Sequence, residues 1–152
     1  MGCDIHLYAE KRAPDGAWQV VDAVDALTHR SYSAFAFLAN VRNYSQITPL
    51  AAPRGMPEDA STEAASDFER WSMDAHTPSW LTLDELLAFD YSATCEDRRG
   101  MRQLGINAFD CGATLAKGTL QSYRDFLGSW FFDDLGRLKA AGAERIVFWF
   151  DN

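Results

Sequence analysis

The sequence predicts an α+β fold: a small, mainly antiparallel sheet built from an N-terminal hairpin and a C-terminal strand, with helices packed on one face. Three observations lead there. Residues 4–10 alternate between apolar and polar, the middle of the chain carries separate helical patterns with capping signals, and residues 145–151 form an apolar run of strand formers.

In the first element Ile5, Leu7 and Ala9 fall on one face while Asp4, His6, Tyr8 and Glu10 fall on the other, the period of a half-buried strand. Pro14-Asp15-Gly16 is a turn signal, and Trp18, Val20 and Val21 restart an extended pattern, so residues 3–22 read as a β-hairpin. Ser33 is the expected cap of a helix through Arg42, with Phe35, Leu38 and Val41 at helical spacing. Residues 43–60 hold Pro49, Pro53, Gly55 and Pro57 and read as a long loop, a length that usually serves a site.

Ser61 opens a second helix to about Trp71, and residues 73–80 read as a second polar loop. Thr82-Leu83-Asp84-Glu85 is a capping box that starts a helix through Phe89. Residues 92–118 carry little pattern. Residues 119–127 and 129–141 have helical patterns separated by Gly128 and ended by Gly142. The run from Arg145 to Asp151 is so apolar that an edge position would invite aggregation, so that strand belongs in the centre or under good cover.

A chain of 152 residues without repeat or linker reads as one domain over 1–152. Its formal charge of −8 argues against nucleic acid as the main partner, because phosphate neutralisation needs a basic surface. Cys3, Cys95 and Cys111 are odd in number and widely spaced, which predicts free thiols in a reducing compartment. The lack of a signal segment and of a long apolar span predicts a cytoplasmic protein away from membranes.

Asp4 and His6 leave one strand face roughly 7 Å apart at the backbone, close enough to share a metal ion. Asp74 and His76 repeat the Asp-x-His spacing, so the two pairs offer four candidate ligands for zinc or manganese and a candidate catalytic centre. Taken singly, each pair also reads as a solvated strand face or a locally bonded loop. Arg42 and Arg54 are candidate anion forks, and Ser79 and Trp80, just ahead of the capped helix, are candidate ligand contacts. Arg42 equally suits a helix-end carbonyl, and a Trp is more often core. Cys3 has the wrong parity to join His6, and no Gly-x-Ser-x-Gly elbow or phosphate-binding Gly loop is present.

The opening Met-Gly-Cys-Asp-Ile-His and closing Val-Phe-Trp-Phe-Asp-Asn resemble an uncharacterised family of small phage and bacterial proteins. The resemblance takes in Arg42-Asn43-Tyr44, the block from Pro53 to Asp59 and the block from Asp74 to Leu81. It implies a phage-type origin and a single domain, and it supplies no catalytic assignment. The Asp4–His6 pair also looks like the opening motif of calcineurin-like metallophosphoesterases, although the later blocks of that superfamily are missing.

The expectation is therefore a polar site for a small phosphorylated molecule, read first as a metal-dependent hydrolase of a nucleotide-like substrate. Asp4, His6, Asp74 and His76 would hold the ion, with Arg42 and Arg54 on the phosphate. The alternative is a non-catalytic counter-defence protein that sequesters a signalling nucleotide or blocks a host protein.

Overall fold

A computed structural model of the chain describes residues 2–22, 25–100 and 117–152. The fold is α+β. Its backbone divides into two compact units, one of Met1–Arg30, Ala52–Phe89 and Trp130–Asn152 and one of Ser31–Ala51 and Asp90–Ser129.

The first unit is built on a four-stranded antiparallel sheet in the order β2-β1-β6-β3. β1 (Asp4–Arg12) and β2 (Trp18–Val20) form the expected hairpin, closed by a turn in which the Gly16 N–H donates to the Ala13 carbonyl. Gly16 takes φ +84°, a conformation that favours glycine. β6 (Arg145–Asp151) is central, paired along β1 from Asp4↔Asp151 to Glu10↔Arg145, as its apolar composition requires. Every side chain from Ile146 to Phe150 is fully buried, so both faces of this strand are covered.

α2 (Thr62–Trp71) starts at its Ser61 cap and lies on the face of His6 and Trp149, where Phe68 meets Trp149 edge to face at 5.4 Å between centroids. A short 3₁₀ turn (Ser72–Asp74) leads from it into β3 (His76–Thr82). Residues 73–80, expected as a loop, thus end in a sheet strand. Polar residues and Pro78 hide it, yet on an edge strand a proline costs no ladder bond, and the Pro78 carbonyl accepts from the Gly55 N–H instead. α3 (Leu83–Ala88) begins at the Thr82–Glu85 capping box, and α5 (Ser129–Ala140) lies almost wholly in this unit. Beneath the sheet edge, the buried Glu10 accepts from the Arg145 Nε at 2.6 Å and from the Ser61 N–H at 2.7 Å, tying β1, β6 and the start of α2 together.

In the second unit α1 spans Tyr32–Ala39. Ser31, not Ser33, is its cap, accepting from the Ala34 N–H, while Ser33 is buried and shares a hydrogen bond with the Ser31 hydroxyl. The helix stops before Arg42 because Asn40 turns left-handed at φ 59° and returns its N–H to the Ala36 carbonyl. β4 (Thr94–Asp97) pairs with β5 (Thr119–Ser122), and α4 (Tyr123–Leu127) follows from its Ser122 cap, so the helix expected over residues 119–127 is half strand. Phe37 centres this unit's core against Tyr91 and Tyr123.

Candidate functional site

Strand alternation places Asp4, His6 and Tyr8 on one face of β1, and antiparallel partners share a face, so Asp151 and Trp149 of β6 join them. The Asp151 carboxylate lies between two donors. Its Oδ2 meets His6 Nε2 at 3.1 Å and its Oδ1 accepts the Asp4 main-chain N–H at 3.1 Å. Because a carboxylate only accepts, His6 donates through Nε2, which leaves Nδ1 as the ring nitrogen able to take a proton or a ligand hydrogen bond.

Two indoles fix the imidazole. Trp71, the last residue of α2, sits 4.1 Å from the His6 ring centroid, and Trp149 stacks beneath it at 5.7 Å and 18°. The His6 side chain keeps 23% of its surface in solvent, enough to reach a ligand. On the outer side Arg30 forks the Asp4 carboxylate, Nε to Oδ1 at 2.7 Å, and this hydrogen-bonded guanidinium holds the Asp4 carboxyl below its ordinary range. Gly2 leaves room for that arginine, since a Cβ there would stand 2.6 Å from its Nη1. On the inner side the Tyr8 hydroxyl donates to Asp67 Oδ2 at 2.9 Å, and burial, with this carboxylate, pushes the phenol above its usual value.

The second Asp-x-His pair does not join the first. His76 pairs with Phe150, which pairs with Ile5, so His76 lies on the face opposite His6. Its ring stacks on Phe150 at 6.0 Å, its Nδ1 is hydrogen-bonded to Thr77 Oγ1 at 3.0 Å, and its buried Nε2 has no hydrogen-bond partner among the described residues. Asp74 is exposed on the 3₁₀ turn. The expected convergence of Asp4, His6, Asp74 and His76 is therefore corrected: the sheet separates the two histidines. Among the described residues no three His, Cys, Asp or Glu side chains are grouped to hold a metal ion.

Arg54, Ser79 and Trp80 are also reassigned. Arg54 forks the Glu85 carboxylate, lies over the Trp80 ring at 4.6 Å and donates to the Trp80 carbonyl at 3.2 Å. Its main-chain N–H donates to the buried Ser79 hydroxyl at 3.1 Å. Together they brace the proline-rich loop against β3 and the start of α3. Arg42 belongs to the other unit, where it takes φ 50° and reaches the Tyr44 hydroxyl at 3.4 Å.

Sequence reasoning finds Asp4 and His6 and misses Asp151, Arg30 and Trp71. Parity alone puts Asp151 on a definite face of the last strand, but only the pairing of first strand with last brings it to His6, across 145 positions. No protein-family model matches the chain, and neither does a curated protein or a solved structure.

Proposed function

We propose that this protein is a hydrolase of a small phosphorylated, nucleotide-like substrate that uses His6 and Asp151 as its base and orienting carboxylate. The observation that carries this reading is the Nε2 contact to Asp151, because it leaves Nδ1 as acceptor on a ring packed against two indoles. In such a pair the imidazole takes a proton from the attacking water, and the carboxylate stabilises the imidazolium that forms. The proton then passes to the departing oxygen as the phosphoester bond breaks. Arg30 at the rim is forked to Asp4 but keeps 55% of its side chain in solvent, where it meets an anionic group, and Trp71 offers an aromatic edge for a base.

The test is incubation with a panel of linear and cyclic nucleotides, with and without chelator, followed by denaturation and chromatography. Product that survives chelator and falls by about 100-fold or more in His6→Ala and Asp151→Asn supports the proposal. Product removed by chelator would return the argument to a metal-dependent hydrolase. Recovery of an intact, depleted nucleotide would point to capture, and no change in any nucleotide would sink the hydrolytic reading.

A further inference from the structure

A concavity lies in the sheet unit, on the edge of β1 away from β6. β2 pairs only with Glu10, Lys11 and Arg12, and one further bond runs from the Val21 N–H to the Ala9 carbonyl at 2.8 Å. Main-chain groups of alternate residues point to the same edge, so the N–H and C=O of Leu7 face the side where β2 has already ended. Beside it, Leu7, Val20–Asp22 and the turn at Asp25–Thr28 line a cavity of about 370 Å³, within the range of small-molecule sites.

The walls of this cavity have a definite chemistry. Leu7, Val20, Val21 and Ala26 supply apolar surface, Asp22 and Asp25 are exposed carboxylates, and among the described residues no basic side chain lines it. Arg137, whose charge is felt at Asp25, is ion-paired with Asp134. Asp134 is itself buried and accepts the Leu27 N–H at 2.7 Å, which holds the returning turn in place even though Asp25 and Leu27 both adopt positive φ, 61° and 59°. The Asp25 carboxylate therefore stands on a held turn beside an apolar floor.

We propose that this cavity binds a small aliphatic ammonium ion, its charge shared by Asp22, Asp25 and the Leu7 carbonyl and its hydrocarbon body laid on Leu7, Val20 and Val21. An ammonium group has three donors and no acceptor, which matches a cavity whose described lining has acceptors on its rim. A phosphate or carboxylate ligand would meet only repulsion there. The site is independent of His6, so it stands or falls apart from the hydrolytic reading.

The experiment titrates the full-length protein with cyclohexylmethylamine and, separately, with the neutral cyclohexylmethanol, following methyl resonances of Leu7, Val20 and Val21. The amine is expected to bind at least tenfold more tightly than the alcohol, with both shifting those methyls. The preference should vanish in Asp22→Asn/Asp25→Asn, whose fold is checked by its unchanged remaining spectrum. Equal affinities, a preference retained in the double variant, or shifts confined to other residues would each overturn the proposal. A lysine-bearing peptide that binds tenfold more tightly than the free amine would overturn the small-molecule occupant in favour of a protein partner.

Discussion

The Glu85 carboxylate accepts from the Thr82 N–H and the Thr82 hydroxyl, each at 2.9 Å, while Arg54 forks it from the neighbouring loop. The arginine hydrogen bond is the main reason its carboxyl falls from the ordinary 4.5 to about 2. A folded value depressed below the unfolded one gives stability that is present above the unfolded value and lost as pH falls through the folded value. The window here runs from about 4.5 down to about 2. Glu85→Gln should therefore lower the urea midpoint at pH 7 by the equivalent of about 1 kcal/mol, since the pair is partly exposed, and the difference from the parent should shrink toward pH 2. A difference that stayed constant over that range would contradict the assignment of the charge. The same residues mark how far a sequence can be read at this scale. The capping box is local and legible, whereas the Arg54 partner is 31 positions away and can equally be read as an anion fork.

At the scale of elements, alternation and caps locate β1, α2, α3 and β6 because each carries its own signal within a few residues. β3 is obscured by Pro78 and by a bulge between His76 and Ser79, where Thr77 takes φ 51°. That bulge adds one residue to the strand. Once β3 is seen to pair with β6, its parity decides the fate of the metal expectation, since His76 then follows Phe150 to the other face. β4 and β5 were equally hidden, being short, and their pairing rests on a close backbone approach at Gly118. A Cβ there would stand 2.5 Å from the Asp97 carbonyl oxygen, a main-chain atom that cannot swing aside. Gly118→Ala should therefore cost about 1–3 kcal/mol, read by thermal or urea unfolding, whereas alanine at the open Gly136 in α5 should be neutral or stabilising. Equal effects at the two positions would show that the Gly118 contact is not tight.

Across the whole molecule, the first and last strands of the chain are hydrogen-bonded neighbours, so the site at Asp4, His6 and Asp151 exists only after the most distant segments have met. The α+β class was legible because it depends on the inventory of elements. The site was only half legible, because it depends on which strands pair. No helix among the described residues is long and apolar enough to cross a membrane. Cys3 and Cys95 are buried thiols in separate units, while Cys111 lies outside the described residues. Burial is the main cause that pushes the Cys95 thiol up, so a thiol reagent at neutral pH should leave Cys3 and Cys95 unmodified in the native protein and label both after denaturation. Rapid native labelling at either position would contradict the packing.

The most direct test of the central claim is a long-range ¹⁵N–¹H NMR spectrum of the histidine rings, recorded at neutral pH with and without a nucleotide that the protein turns over or retains. If Asp151 holds His6 through Nε2, the His6 signals should report a proton on Nε2 and an acceptor at Nδ1, and Asp151→Asn should disturb that pattern. The nucleotide should shift His6 Nδ1 while leaving the His76 ring, on the opposite face, unchanged. A His6 ring carrying its proton on Nδ1, or a nucleotide response seen at His76 and absent at His6, would contradict the account.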